Sequence, residues 1–341
     1  MSGSSPSEVN MADVARQAGV TIGTVSRALR GLPGVSEQKR ERIRAIADEL
    51  SYVVSPEGSR LARGPRGRVA VVVPKIDAWF YAAMLAHIER TLYAAEIDVL
   101  LYQVDGEEQR TRFFRDLPSR RKVDAVVMIA LPLLQTEVER LDLLGTHVIV
   151  AGGRVRDFPH VQVDDHGMGR AAVDHLLELG HRRIGMIRTR NAIAAWSPDL
   201  ERTRAYTGAL TEAGIALRDD YVTTQTFGYP GGAAAVDDLL SLDDPPSAVF
   251  AYSDEIAVGA LARLRERGVE VPGEMSVIGV DDHPVSEVLG LTTVRQDVAT
   301  QGRVAAEMAL ALLRGEELAE TDVVVPWTLV PRSTTAAPGT A

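Results

Sequence analysis

The sequence predicts a small all-helical head followed by a two-lobed α/β body with doubly wound parallel sheets, and three observations predict it. Asn10 to Leu29, NMADVARQAGVTIGTVSRAL, reads as two short helices joined by a tight turn. From Val69 the pattern changes to short, wholly apolar runs alternating with amphipathic helices, as buried parallel strands require. The alternation restarts after Val161, so two similar lobes are expected.

In the head, Asn10 is expected to cap the first helix, with Asp13 answering as in a capping box. Gly19 supplies the left-handed backbone that ends that helix, Val20 plugs the joint and Thr21 caps the next. Val14, Ala15 and Ala18 share one helical stripe and Val25, Ala28 and Leu29 another, so the two stripes face each other in a helix-turn-helix. In such a unit the second helix lies in the major groove and presents its first turns to base edges. That places Ile22, Gly23 and Arg27 outward, where Arg27 can donate a bidentate pair to guanine worth roughly 1 to 3 kcal/mol of discrimination. Thr24 and Ser26 suit phosphate. Ser36 caps a third helix, EQKRERIRAIADELSY, whose Ile43, Ile46, Ala47 and Leu50 close a three-helix core. Its Lys39, Arg40, Arg42 and Arg44 form a basic face, either solvated or held against phosphate. Ser55-Pro56 opens a short helix through Ala62 that contains Gly58 and is marginal when isolated.

The first lobe is read as VAVVV, the helix YAAMLAHIERTLYAA, VLLY, a helix over Arg110 to Arg120, AVVMIA, a helix over Glu137 to Leu144, and VIVA. The second is read as a helix over Arg170 to Leu179, IGMI, a helix over Arg202 to Ala213, VTTQ, a helix over Ala233 to Leu240, AVFAY, a helix over Glu255 to Arg267, and SVIGV. A helix over Gln301 to Leu313 and a strand VVVP close the body. The divisions are a disordered lead over 1–8, the head over 9–54, a hinge helix and linker over 55–68, the body over 69–333 and a flexible tail over 334–341. Within the body the first lobe takes 69–163 and 292–324, and the second takes 164–291 and 325–333. Two such lobes, with ligand expected where strand ends meet the cleft, make a hinged binding body.

A chain of 341 residues exceeds one ordinary core, and 45% apolar with 25% charged residues is ordinary for a soluble globular protein. The absence of cysteine excludes a disulfide framework, a thiolate metal site and a cysteine nucleophile. No signal-peptide core and no membrane-length run is seen, so a cytoplasmic location is expected, away from any membrane. The net charge of −10 argues against a nucleic-acid binder until it is divided by region. Residues 1–68 carry eleven Lys/Arg against seven Asp/Glu, and the remainder 26 against 40, so a basic head sits on an acidic body. Catalysis is not expected: HExxH, GxSxG and GxxxxGK[ST] are absent, and His87, His147, His160, His166, His175, His181 and His283 are scattered. No cofactor or metal is required.

With head, hinge and body in place, the chain resembles the lactose-repressor and galactose-repressor family of bacterial transcription regulators from about Asn10 to Pro338. The motifs are DVARQAGVTIGTVSRAL, the Val35-Ser36 start of the third helix, SRLA in the hinge, LELGHRRIG, SDEIAVGAL, GVDD, LTTVRQD and LVPRSTTAAP. The resemblance implies a periplasmic-binding-protein-like (type I) effector domain and a homodimer on a palindromic double-stranded operator. It also implies hinge helices that fold on DNA and wedge leucines into the minor groove, an insertion that costs a few kcal/mol and is offset by the bend it allows. Leu61 matches the wedge, and Arg60 beside it, with Thr21 and Ser36, joins the implied DNA-contacting set. Ile22 and Gly23 depart from relatives that carry base-touching side chains, so the operator sequence does not follow. Gly58 makes the hinge costly to order.

For the effector, Arg202 matches an arginine that clamps a ligand hydroxyl or carboxylate, with pairing to Asp199 or Glu201 as the other reading. Asp281 of GVDD matches an acceptor from ligand hydroxyls, or else holds a backbone turn. Ser253 and Asp254 match the loop after a second-lobe strand, Tyr229 lies near a usual stacking aromatic, and Gln296 stands in LTTVRQD. Trp79 and Phe80 follow the first strand as the near wall, with lobe packing the other reading for Trp79. Aromatic faces with Arg and Asp at the rim suit a mono- or disaccharide. Arg188 and Arg190 of IRTRN would instead admit a sugar phosphate unless they are surface charges, and Gly152-Gly153 is read as room for a larger ligand. Inducer and corepressor action, the latter with a sugar phosphate or purine, both stay open, as does a non-regulatory sugar-binding protein. For an inducer, roughly 3 kcal/mol of preference for the DNA-incompetent state weakens operator binding about a hundredfold. The first-lobe dimer surface is placed at Tyr81 to Ala95.

Overall fold

The computed structural model describes residues 10–29, 33–50, 67–116, 123–142, 145–155, 158–189 and 198–339, in two compact units divided between Arg66 and Gly67. In the head, α1 (Met11–Ala18), α2 (Ile22–Leu29) and α3 (Glu37–Glu49) close on Val14, Val25, Ala28 and Ile43, all buried. Asn10 Oδ1 accepts from the Ala12 amide at 2.9 Å, and the Asp13 carboxylate accepts from the Asn10 amide at 3.0 Å. Gly19 ends α1 at φ +66°. One expectation needs correction: Ser36 stands at the N-cap of α3, but its hydroxyl makes no cap bond. Arg40 is also turned inward, donating to the Val35 carbonyl and pairing with Glu37, which leaves Lys39, Arg42 and Arg44 exposed on α3. The expected hinge helix, with Gly58, Arg60 and Leu61, lies outside the described residues.

The body is two six-stranded sheets. The first, ordered β11-β5-β4-β3-β1-β2, contains β1 (Arg68–Val73), β2 (Asp98–Gln103), β3 (Ala125–Ile129), β4 (His147–Ala151), β5 (His160–Val163) and β11 (Asp322–Val325). The second, ordered β12-β10-β9-β8-β6-β7, contains β6 (Ile184–Thr189), β7 (Val222–Gln225), β8 (Ala248–Ala251), β9 (Ser276–Asp281), β10 (Thr292–Gln296) and β12 (Trp327–Val330). Neighbours run parallel except β10 and β12. Val69 to Val73 are all buried because helices cover both faces: α4 (Trp79–Ala94) and α12 (Val298–Leu313) on one, α5 (Gly106–Asp116) and α6 (Gln135–Asp142) on the other. The second sheet is covered by α7 (Asp165–Glu178) and α8 (Pro198–Glu212) on one face, and by α9 (Tyr229–Leu240) and α10 (Asp254–Glu266) on the other.

Several boundaries move. α7, α8, α9 and α12 begin before the expected start, because caps such as Asp164, whose Oδ1 accepts from the Gly167 amide at 2.8 Å, sit upstream of the first apolar stripe. β5, β10, β12 and the short helix α11 (Pro284–Leu289) were not expected. Because β10 pairs with β9, residues 292–296 belong to the second lobe, and the chain crosses between lobes at Asp164, Asp297 and Pro326. The tail is packed rather than flexible through residue 339. The Val277 amide donates to the Thr334 carbonyl at 2.8 Å, Thr334 Oγ1 donates back to the Val277 carbonyl at 2.7 Å, and His181 Nε2 lies 2.9 Å from the Ala336 carbonyl. The serine and threonine run satisfies backbone groups of β9 that its neighbours leave open.

Candidate functional site

Two separate regions collect the candidate residues. On the head, Thr21, Ile22, Gly23 and Arg27 are exposed along the first turns of α2, and Arg27 has no acidic partner among the described residues. The Thr24 amide donates to Thr21 Oγ1 at 3.2 Å, and the two hydroxyls lie 2.9 Å apart, so Thr24 is shared between capping and any outward contact. Ser26 is half-buried, and Ser36 is exposed with no cap bond. A Cβ on Gly23 would meet only Thr21 Oγ1, at 3.9 Å, so nothing in the fold demands glycine there.

In the body, a cavity forms where strand ends of the two sheets face each other, the position at which parallel α/β sheets take ligands. Phe80, Arg202, Ser253, Asp281 and Gln296 line it. Arg202 is its centre: Nε and Nη2 donate to Asp165 Oδ1 at 3.0 and 2.8 Å, and Nη1 donates to the Tyr252 carbonyl at 2.6 Å. The guanidinium carbon lies 4.6 Å from the Tyr252 ring centroid. Burial works against this charge, but Asp165, Tyr252 and Asp281 together outweigh it and hold the arginine above its ordinary value. The partner is therefore Asp165, not Asp199 or Glu201.

Asp281 accepts from Gln296 Nε2 at 2.6 Å. Burial pushes its carboxyl well above the usual range against the pull of Arg202, and Asp254 pushes the same way. It is thereby shifted toward the neutral acid, which donates as well as accepts. Burial, with help from Asp281 and Glu255, pushes Tyr81 up to about 12, so its hydroxyl remains a donor. Asp281 at φ +126°, Asp282 at +57° and Ala130 at +41° are three of four non-glycine residues with positive φ among the described residues, and Asp281 and Ala130 line this cavity. Each costs on the order of 1–3 kcal/mol, strain of the kind that gathers at ligand sites.

Other expected residues fall elsewhere. Asp254 sits behind the wall: Oδ1 accepts from Thr293 Oγ1 at 2.7 Å, and Oδ2 accepts from Ser286 Oγ and the His283 amide at 2.7 and 2.9 Å. It braces α11 rather than facing the cavity, and burial raises it to about 7. Tyr229 is half exposed at the start of α9; Phe227, two residues earlier, lines the cavity because the Gly228 turn intervenes. Trp79 meets the His283 ring at a tilt of 50°, centroids 5.1 Å apart, and borders a different groove. Gly152 makes no extra room, since a Cβ there would stand 2.9 Å from Phe80 Cζ: the missing side chain seats Phe80. Arg188 is spent on Asp199 at 2.6 Å, and Arg190 lies outside the described residues. Tyr81, assigned from sequence to an outer dimer surface, faces the cavity instead. Asp165, Tyr252 and Phe227 went unrecognised; the paired acids of VQVDDHG at a strand-to-helix junction were the available signal for Asp165.

Comparison with known proteins bears on both regions. The model of bacterial regulatory proteins of the lacI family matches residues 10–55, and that of a periplasmic binding protein-like domain matches residues 173–335. The chain is 33% identical to the HTH-type transcriptional regulator GalR of Escherichia coli (strain K12), covering 96% of this chain and 95% of that protein. It is 30% identical to the HTH-type transcriptional repressor CytR of the same strain, over 96% of each. Among solved structures, the transcriptional regulator CelR-cellobiose complex superposes with a TM-score of 0.71 at 30% identity, covering 96% of this chain and 99% of that one. The lac repressor dimer bound to operator and the anti-inducer ONPF superposes with a TM-score of 0.82 over 96% and 99% of the two chains, and at 23% identity shows the shared fold. A helix-turn-helix head on a two-sheet ligand-binding body, with full-length identity to such regulators, makes this chain a transcription regulator of the bacterial lacI family.

Proposed function

We propose that this regulator represses carbohydrate-utilisation genes from the cytoplasm, binding a palindromic operator as a homodimer whose affinity is set by a neutral sugar in the body cavity. The charge balance of that cavity supports the reading above all else. Arg202 is matched by Asp165, Arg188 by Asp199, and Asp281 adds a further carboxyl, so among the described residues that line this cavity no cation is left over for a phosphate or carboxylate. What remains is what a sugar ring uses: Phe80, Tyr81 and Tyr252 for its aliphatic faces, and Arg202, Ser253, Asp281 and Gln296 for its hydroxyls. The CelR relative was solved with cellobiose, which favours the same ligand class.

On the head, Arg27 is the residue proposed to read a base, with Ile22 against a thymine methyl and Ser26, Ser36 and the α3 cations on phosphate. Thermal melting of the full-length protein with mono- and disaccharides, sugar phosphates and purines tests the effector, since a ligand of the folded state raises the midpoint by mass action. A shift with a neutral sugar that also changes operator affinity in fluorescence anisotropy is expected. A shift with anionic ligands alone would overturn the neutral-sugar reading and leave the operator role intact.

A further inference from the structure

The cleft is divided. Beyond the cavity built on Arg202, which holds about 40 Å³ in this conformation, lies a second chamber of about 290 Å³. Tyr81, Ala130, Phe227 and Tyr252 line both. The order of the chambers follows the order of the strands. The inner chamber lies at the ends of β4, β5, β9 and β10, beside the edge where the chain crosses between lobes. The outer chamber lies at the ends of β1, β2, β3 and β6, toward the free edge. The two are therefore successive compartments of one crevice, with an aromatic waist between them.

The outer chamber is chemically suited to a second neutral unit. Its apolar side is Leu131, Pro132 and the Phe227 ring; its polar side is Lys75, Asp105, Arg110 and Thr189. Arg110 is balanced by Glu137, whose Oε1 accepts from Nε at 2.6 Å, and Lys75 and Asp105, of opposite charge, form no ion pair among the described residues. Among the described residues the charges of the lining and Glu137 sum to zero, while the Lys75 and Asp105 side chains keep donors and acceptors for a ligand. Small-molecule sites occupy roughly 300–1,000 Å³, so the inner chamber alone is too small as it stands and the outer one is close to sufficient for one unit.

We infer that the effector is a two-unit neutral saccharide: one ring enters the inner chamber as the lobes part, and the second occupies the outer chamber across the Tyr81–Tyr252 waist. This rests on the neutral-sugar reading above and narrows it. Isothermal titration of the full-length protein with glucose and galactose, and with maltose, cellobiose, lactose and melibiose, tests it. At least one disaccharide is expected to bind ten times more tightly than either constituent sugar. Lys75→Ala and Asp105→Ala, at accessible positions, and Leu131→Trp, which fills the chamber, should each pull that ratio toward one.

A monosaccharide that binds as tightly as its disaccharides, and is weakened by Asp281→Asn, would overturn the two-unit inference and leave the neutral-sugar reading standing. A disaccharide advantage untouched by all three outer-chamber variants would overturn it as well, by putting the second ring elsewhere. Absence of heat with every saccharide would overturn the neutral-sugar reading and this inference with it.

Discussion

At the scale of single residues, the cavity separates groups that hold the fold from groups free to meet a ligand. Arg202 spends three nitrogens on Asp165 and the Tyr252 carbonyl, so Arg202→Ala strands a buried carboxylate. Breaking a buried pair from one side costs about 3–5 kcal/mol, so urea denaturation should show a loss of that size, against a much smaller one for Asp281→Asn. Gly152 is a finer probe: at φ +70°, with a Cβ forced to 2.9 Å from Phe80, Gly152→Ala should displace the ring. Effector affinity is expected to fall about tenfold by titration calorimetry, which is 1.4 kcal/mol; unchanged affinity would remove Phe80 from the ligand. Burial of His181 against Ser247, Ser276 and Ala336 holds its imidazole below its ordinary value of 6.5. Its contribution is therefore fully present above pH 6.5, where both states are neutral, and is lost below it as the unfolded chain takes up the proton first. Urea denaturation from pH 5 to 8 should show the wild type losing stability relative to His181→Asn on acidification, and parallel curves would refute the assignment.

At the scale of elements, the start of α4 and the starts of α10 and α11 meet across the cleft. The Trp79 and His283 rings meet at a tilt of 50°, and burial raises the Glu255 carboxyl while the Trp79 backbone amide pulls it down. Val285 donates its amide to His283 Nδ1 at 3.0 Å, which fixes the ring edge that faces α11. A ring contact of this type contributes about 0.5–1.5 kcal/mol, so Trp79→Ala should favour parted lobes and weaken the effector by about two- to tenfold, with a larger radius of gyration in scattering. The sequence showed why these helices exist, through apolar stripes such as Met84, Ile88 and Leu92, but not where they begin. Starts are set by short polar residues: Asp164, Ser253 and Asp297 each accept from a backbone amide one turn ahead. The residues that enter the cavity stand at those same starts and at strand ends, where periodicity carries no signal. Hence Arg202 and Asp281 were legible through motifs, whereas Asp165 and Tyr252 were not. Cavity-lining Phe227 and exposed Tyr229 straddle one Gly228 turn, and composition cannot tell them apart.

At the scale of the whole molecule, charge and linkage give the expected behaviour. The two-lobed architecture was legible because short, wholly apolar runs such as Val69 to Val73, alternating twice over with amphipathic helices, read as strands of sheets covered on both faces. One lobe boundary was not, since residues 292–296, TTVRQ, are short and mostly polar and declare their sheet only by pairing. Linkage then ties effector to operator without any assumption about how head and body sit. If the saccharide changes operator affinity by some factor, operator DNA must change saccharide affinity by the same factor, because both measure one coupling free energy. Typical couplings of 1–3 kcal/mol correspond to about 5–150-fold, a range anisotropy and calorimetry both resolve. The measurement is a pair of titrations at one salt concentration: operator with and without saturating saccharide, and saccharide with and without saturating operator. Equal factors are expected, and the direction distinguishes inducer from corepressor. An Asp281→Asn protein should keep its sugar-free operator affinity while both factors move toward one together. If both factors kept their wild-type values, Asp281 would have no part in the coupling.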